Sequence, residues 1–173
     1  QRRMVAALHE SEARLRFEAL PGADGWYALD LDELTVDAVT TPDGAAHPWR
    51  HADGKLHVAP AAEVVVRWHG SPRRGMWFVG PTAAEPDRVP EAWTQCQDED
   101  GHFLFPCFDH PSVKHPFTIT VTAPEGYGVL SNGRLEARAG NTWTWQQEEP
   151  MPAYLFTVVV MKMDVYEDTW DGI

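Results

Sequence analysis

The chain has 173 residues, a length that suits a single domain with a hydrophobic core of its own. Its 26 Asp and Glu residues against 14 Lys and Arg give a formal net charge of −12, with eight tryptophans among the aromatic residues. Because this charge repels phosphate backbones and anionic lipids, the composition excludes nucleic acid and the membrane surface as partners. We therefore expect a globular protein that binds neither.

The opening residues, 1–8, contain too short an apolar run for a signal peptide, so we expect a cytoplasmic protein. The spacing of the cysteines, Cys96 and Cys107, matches neither a zinc knuckle nor a dithiol redox motif. The sequence therefore predicts two buried free thiols.

Short runs of alternating apolar and polar residues dominate the first half of the chain. This period of two predicts antiparallel strands with one buried face. The alternating apolar positions are Ala13, Leu15, Phe17, Tyr27, Leu29, Leu31, Leu34, Val36, Leu56, Val58, Val64, Val66 and Trp68. The turn signals Pro42-Asp43-Gly44 and Asp53-Gly54 predict hairpins between these runs.

The middle of the chain, from Gly70 to Pro116, is rich in proline. Because proline cannot donate to a sheet ladder, this region is predicted to be mostly loop, with short strands at Met76 to Val79 and Phe103 to Phe105. Long ordered loops often carry function.

The last third returns to strand patterns. Phe117, Ile119 and Val121 alternate with threonines. Asn132-Gly133 predicts a hairpin. The apolar segment Tyr154 to Met163 predicts a strand covered on both faces. Together these patterns predict an all-β, antiparallel, sandwich-like domain with a long loop-rich middle region, spanning residues 1–173 as one domain.

Two histidine-bearing segments are weighed as metal sites. His9-Glu10-Ser11-Glu12-Ala13 begins like the helical His-Glu-x-x-His zinc motif, but Ala13 stands where the second imidazole belongs, so we predict an exposed polar stretch. The second set lies in the loop region and comprises His102, His110 and His115. Their spacing has no metal-ligand signature, and we predict no metal ligand and no catalytic residue in this chain.

Trp143 and Trp145 allow a sugar-binding interpretation, since exposed indole rings stack on sugars. They alternate along one predicted strand, however, and that pattern is more typical of core residues.

Three segments in fixed order carry a family resemblance. They are Gly75-Met76-Trp77-Phe78-Val79-Gly80-Pro81, Trp93-Thr94-Gln95-Cys96-Gln97-Asp98-Glu99-Asp100 and Phe105-Pro106-Cys107-Phe108-Asp109-His110-Pro111-Ser112-Val113-Lys114. Their order and spacing resemble the amino-terminal domain of aminopeptidase N and of the leukotriene-hydrolase aminopeptidases. Two later segments agree, 129–133 and 150–155.

The resemblance implies a saddle-shaped antiparallel β domain that packs against a thermolysin-like helical domain. In this family the zinc ligands and the general base belong to that second domain, which would begin after Trp170-Asp171-Gly172-Ile173. The expected parent is thus a zinc aminopeptidase that removes amino-terminal residues from peptides. Zinc is expected in the parent only, and this chain alone is expected to be inactive.

The resemblance also implies a substrate-binding role for the segment Thr94-Gln95-Cys96-Gln97. By position, Gln97 would bind the free α-amine of the peptide substrate, with Gln95 as a neighbouring pocket residue. Many relatives have Glu in place of Gln97, so the amide should bind the amine less strongly. The resemblance further implies a cis peptide bond after Gln97, and a turn-fixing role for Asp109, Pro111 and Lys114.

Two rival functions remain open. The first is a non-catalytic scaffold with the same domain fold, since some assembly subunits keep the arrangement without a working zinc site. The second is an autonomous carbohydrate-binding β-sandwich, which would need exposed and stacked tryptophans.

Overall fold

A computed structural model describes residues 8–18, 21–166 and 168. The prediction of an all-β domain is confirmed. The strands are β1 Leu8–Arg16, β2 Tyr27–Asp30, β3 Thr35–Thr40, β4 Trp49–Ala52, β5 Lys55–Val58, β6 Glu63–Gly70, β7 Gly75–Val79, β8 Glu91–Gln95, β9 His115–Thr122, β10 Gly128–Ser131, β11 Arg134–Ala139, β12 Thr142–Met151 and β13 Val158–Met161. Two 3-10 helices, Gly101–Phe103 and Ala153–Leu155, complete the described elements. The predictions about the opening residues and about the last four residues concern positions outside the described ranges.

The strands form four antiparallel sheets. In the first half of the chain the strand orders are β1-β6-β3 and β2-β5-β4, and in the second half they are β10-β13-β8-β7 and β11-β12-β9. No helix within the described residues has the length and apolar character that a membrane crossing requires.

The core of the first half lies between the two sheets that this half forms. Except for Val39, its buried residues are alternating apolar positions that the sequence predicts as the inward face. Its fully or nearly buried members are Leu29, Leu31, Leu34, Val39, Leu56, Val58, Val64, Val66 and Trp68. Burying side chains of this size contributes about 1.5–3 kcal/mol each, and this cluster therefore supplies much of the folding free energy.

A smaller core lies in the second half, where Ala123, Val129 and Trp143 are buried together. Val160 of β13 and Trp145 of β12 pack against it. The prediction that Trp143 belongs to the core is confirmed, because only 4% of its surface is exposed.

Of the three predicted turns, two reverse the chain as expected and one does not form a hairpin. Asp53-Gly54 joins β4 and β5 as a hairpin, as predicted. Pro42-Asp43-Gly44 also turns the chain back, through a bridge between Thr40 and Ala46. The hairpin predicted at Asn132-Gly133 is wrong, since β10 pairs with β13 and β11 pairs with β12.

A turn does form there, with Gly133 at φ +80°. The Asn132 side chain, however, bonds the segment before β13 instead of closing a hairpin. Local turn chemistry fixes the change of direction but not the partner of the next strand.

Two strand predictions in the loop-rich half are also corrected. Phe103–Phe105 is not a strand, because the amides of Leu104 and Phe105 both donate to the carbonyl of Gly101 (2.9 and 3.3 Å) and make a tight helical turn. The segment predicted as one strand from Tyr154 to Met163 divides into a 3-10 helix, Ala153–Leu155, and the shorter β13. Only Val158 is buried in β13, so this strand is not covered fully on both faces.

The sequence pattern did not predict one of the strands. The segment Glu91–Gln95 forms β8, between β7 and β13, although the proline-rich composition around it predicts loop. Its position matters because the predicted site residues lie at its carboxyl end.

Candidate functional site

Gln95 and Gln97 flank a buried cysteine at the end of β8. Cys96 is 1% exposed, and its thiol lies 3.6 Å from the carbonyl oxygen of Gly75 in a weak hydrogen bond. Both glutamines are exposed. Because neighbouring residues of an extended chain point to opposite sides, burying Cys96 turns the two flanking amides outward. The structure thus places both predicted site residues on the surface and side by side.

The two glutamines line a small cleft of about 170 Å³. One wall consists of residues 94–97 and the other of residues 154–157. Thr94 joins the walls, because its hydroxyl donates to the carbonyl of Phe156 (3.1 Å) and accepts from the amide of Val158 (2.9 Å). The side chain of Thr94 therefore links the two walls of the cleft directly.

The second wall is held from its other side by residues of β10 and the turn after it. The side-chain oxygen of Asn132 accepts from the amide of Thr157 (2.6 Å), and its nitrogen donates to the carbonyl of Leu155 (3.0 Å). The hydroxyl of Ser131 donates to the carbonyl of Thr157 (2.6 Å). The wall is irregular backbone, but side chains satisfy its polar groups, and this makes it a defined surface.

The loop that carries Gln97 is closed by contacts at Asp100. The amide of Asp100 donates to the carbonyl of Cys96 (2.8 Å), and its carboxylate pairs with Arg74 (3.1 Å). The Arg74 guanidinium also lies 5.1 Å from the centre of the Phe103 ring. The peptide bond between Gln97 and Asp98 is cis, as the resemblance implied.

Asp109 fixes the chain just after this loop. Its carboxylate is buried and accepts from both the backbone amide of His102 (2.9 Å) and the imidazole Nδ1 (2.8 Å). Its own amide donates to the carboxylate of Asp30 (3.1 Å), which pairs with Lys55. These contacts agree with the turn-fixing role expected for Asp109.

Burial alone would lower the pKa of His102. The hydrogen bond that the imidazole donates to Asp109, together with the negative charges of Asp109, Asp30 and Asp100, outweighs burial and raises the pKa of His102 above its ordinary value. At His115 burial prevails and lowers the pKa.

Both cysteines are buried and free, as the sequence predicts. Burial, with the nearby charges of Asp109 and Asp100, raises the pKa of Cys96 to about 12. Burial likewise raises the pKa of Cys107 well above its usual value. Since the thiolate is the reactive form, neither side chain is poised as a nucleophile.

Within the described part of the chain, no group of three or more His, Cys, Asp or Glu side chains has an arrangement that could hold a metal ion. His102, His110 and His115 each have different surroundings. His102 bonds Asp109, His110 lies 2.7 Å from the hydroxyl of Ser112, and His115 begins β9.

An apolar row crosses the outer face of the four-stranded sheet, and sequence reasoning did not identify it. Strand register places Leu130, Val159, Trp93 and Trp77 side by side in that order across β10, β13, β8 and β7. Trp77 is 49% exposed. Gln95 follows Trp93 by two positions and so lies on the same face. The apolar residues are visible in the sequence, but only the strand pairing shows that they lie in one row.

A larger cleft, of about 310 Å³, lies elsewhere, between β9 and β12. It is lined by residues 116–118 and 146–148 and includes neither predicted glutamine. Volume alone does not define a site. The smaller cleft is the better candidate, because a buried residue and fixed backbone walls present its amides.

The fold and this cleft define the class of protein: an all-β domain that presents a polar loop from the end of a central strand. Residues 85–155 match the family model described as the peptidase M1 N-terminal domain. This match confirms, over that segment, the resemblance to the amino-terminal domain of zinc aminopeptidases that was drawn from the sequence.

Curated relatives agree with this family. Leucine aminopeptidase 2-1 of Meyerozyma guilliermondii is 41% identical over 81 residues, which cover 47% of this chain and 13% of that protein. Human aminopeptidase B is 27% identical over 103 residues, which cover 59% of this chain and 16% of that protein. The matched part thus spans about one seventh of the relatives' length.

Solved structures share the fold. Yeast LTA4 hydrolase in complex with bestatin superposes with a TM-score of 0.74 at 21% identity, covering 90% of this chain and 26% of the other. The M1 zinc metallopeptidase of Deinococcus radiodurans bound to a Tyr-Ser-Ala substrate gives a TM-score of 0.70 at 20% identity, covering 88% and 38% of the two chains.

Proposed function

We propose that this chain is the amino-terminal domain of a zinc-dependent aminopeptidase, and that it forms one wall of the pocket for the amino-terminal residue of a peptide substrate. The observation that carries the proposal is the pair of exposed amides, Gln95 and Gln97, fixed on either side of buried Cys96 at the mouth of a cleft. The names of the curated relatives, which are aminopeptidases, support the reaction class.

In this proposal Gln97 recognises the free α-amine. An ammonium group offers only donors, and an amide oxygen is an acceptor, so the two groups are complementary. A hydrogen bond to a charged group contributes about 1.5–3 kcal/mol. Gln95 would contact the first substrate residue from the same strand end.

The charge around the cleft supports a cationic ligand. Asp98 and Glu99 follow Gln97 directly, and both are exposed. Carboxylates close to the amide add an attractive potential for an ammonium group, although the amide itself is neutral. The positively charged ammonium group of the substrate therefore meets an acidic loop.

Zinc belongs, in this proposal, to another part of the parent polypeptide. The described residues contain no group of side chains that could hold it. The contribution of this domain is thus binding and orientation, and no bond-breaking step is assigned to its residues. A domain that carries the metal would be its covalent partner.

The decisive variant is Gln97→Ala in the full-length protein, assayed with an amino-acyl chromogenic substrate. Loss of a bond to a charged group should raise KM by about 10- to 150-fold, from about 1.5–3 kcal/mol. Gln146→Ala, in the other cleft, is the matched control and should leave KM unchanged. Unaltered kinetics in Gln97→Ala would refute the pocket role.

Hydrolysis by the full-length protein also tests the scaffold alternative. A scaffold of this fold would show no chelator-sensitive hydrolysis in the full-length protein, and the exposed row containing Trp77 would then serve protein contacts alone. The carbohydrate-binding alternative is disfavoured, because Trp143 is buried and Trp145 is partly buried against the smaller core.

A further inference from the structure

We propose that Asp109 is a positioning residue for the loop that presents Gln95 and Gln97. The inference rests on the proposed pocket role of those glutamines and adds a residue outside the cleft to it. The cleft itself is lined by residues 94–97 and 154–157. Asp109 would act on the substrate only through the loop.

The geometry places Asp109 at the carboxyl-terminal anchor of the loop. The amino-terminal end is fixed because Gln95 closes β8 and Cys96 is buried. The other end passes into the 3-10 helix Gly101–Phe103, and there the Asp109 carboxylate accepts two hydrogen bonds from His102. Only residues 97–100 separate the buried cysteine from this turn.

The anchor is rigid because it is buried and charge-assisted. The side chain of Asp109 is 3% exposed and that of His102 is 23% exposed. Hydrogen bonds to a carboxylate are stronger than neutral ones, and low exposure reduces competition from water. Gly101 leaves no room for adjustment, since an added Cβ would lie 3.0 Å from the Ala153 methyl group and 3.3 Å from the Asp109 carboxylate.

The anchor is also tied to the first half of the chain. The amide of Asp109 donates to Asp30, and the backbone of Asp30 pairs in both directions with that of Cys107 (2.7 and 3.2 Å). Asp30 ends β2, and Lys55, its ion-pair partner, begins β5. A shift at Asp109 therefore cannot be absorbed on that side and is passed to the loop.

The test is a double-mutant cycle in the full-length protein, with KM and kcat measured for an amino-acyl chromogenic substrate. The variants are Asp109→Ala, Gln97→Ala and the double variant. We expect Asp109→Ala to raise KM by about 10-fold, because displacement by about 1 Å can cost as much as about 100-fold. The same substitution should have little further effect when Gln97 is already Ala.

Conservative variants separate positioning from general damage. Asp109→Asn keeps an oxygen that can accept both bonds from His102 and should restore KM to near the wild-type value. If Asp109→Ala does not fold, as judged by near-ultraviolet circular dichroism, two variants of His102 replace it in the kinetic test. His102→Phe removes the imidazole donor and should raise KM, whereas His102→Asn keeps a donor near the Nδ1 position and should not.

Three results would overturn the inference. An equal rise in KM for Asp109→Ala with and without Gln97 would show that Asp109 does not act through the glutamine. An unchanged KM in folded Asp109→Ala would also overturn the inference, as would an unchanged KM in His102→Phe if that variant is used instead. The pocket role of Gln97 would still stand if Gln97→Ala raises KM. A silent Gln97→Ala variant would remove the pocket role and the positioning role together.

Discussion

Thr94 offers a sharp test of how the cleft is held together. Its hydroxyl donates to the carbonyl of Phe156 and accepts from the amide of Val158, and so joins β8 to the irregular second wall. Thr94→Val keeps the branched shape and the strand preference of the side chain. The substitution therefore removes two hydrogen bonds with little change in packing volume.

The expected cost follows from the burial of the two orphaned groups. Val158 is 6% exposed, so its amide cannot turn to water and bears an unsatisfied-donor penalty of about 1–3 kcal/mol. Phe156 is half-buried, and its carbonyl loses a bond with a net contribution of about 0.5–1.5 kcal/mol. Together we expect the free energy of unfolding to fall by about 1.5–4.5 kcal/mol, a large part of the stability of an ordinary domain.

Urea denaturation of the 173-residue chain, followed by tryptophan fluorescence, measures this loss. With a slope of about 2 kcal/mol per M, the midpoint should fall by about 0.7–2.3 M. Thr120→Val is the matched control, since the Thr120 hydroxyl bonds only that of Thr144 on an exposed face. It should change the free energy of unfolding by less than about 0.5 kcal/mol. Equal effects of the two substitutions would refute the claim that Thr94 joins the walls.

Three further outcomes follow from the structure. Gly133→Ala should destabilise the chain more than Gly126→Ala. Both glycines have a positive φ (+80° and +81°), but of the two only Gly133 has neighbouring atoms where the added methyl group would lie. Equal urea midpoints of the two variants would contradict this. Cys96 should resist an aromatic disulfide reagent at pH 8 until urea unfolds the chain, and rapid labelling of the folded protein would show that its burial is overstated. Because the pKa of His102 is raised on folding, its pairing with Asp109 stabilises the chain fully below about pH 6.5 and loses that contribution as pH rises through the folded pKa. The free energy of unfolding of the wild type should therefore fall more steeply than that of His102→Asn as pH rises above about 6.5, and parallel profiles would count against the pairing.

The first half of the fold was predictable because its strands have one buried face. Alternation at Leu29, Leu31, Val64 and Val66 marks that face directly, and each of these residues lies in the core. Period-two patterns are informative when one side of a strand meets water and the other meets the interior. Here both conditions hold over most of residues 27–68.

The loop-rich half was less predictable, since tertiary contacts override local pattern there. β8 is a central strand whose residues are mostly half-buried, so no clean alternation identifies it. The turn at Asn132-Gly133 was recognised, but its partner strands were not, because pairing depends on contacts distant in sequence. Phe105 becomes part of an aromatic group with Phe117 and Phe156 instead of a strand.

The candidate site was reached from the sequence by resemblance alone. On composition, Gln97 is an ordinary polar residue, and no spacing rule distinguishes it. The contacts that hold this site could not be read from the sequence. Thr94 links the two walls of the cleft, and Asp109 bonds the turn at the end of the loop. Both act through hydrogen bonds to segments at least seven residues away.

The position of the loop between two cores explains why its geometry depends on the whole domain. Its first end is the last residue of β8, in a sheet whose Val129 packs in the smaller core with Trp143. Its second end is tied through Asp109 to Asp30, beside the larger core of the first half. The indole of Trp68 in that core donates to the backbone of Leu104 (3.0 Å) and adds a second tie just beyond the loop. Since the amides are held from both cores at once, a substitution that loosens either core should move them before the fold is lost, so that binding becomes sensitive to packing at a distance.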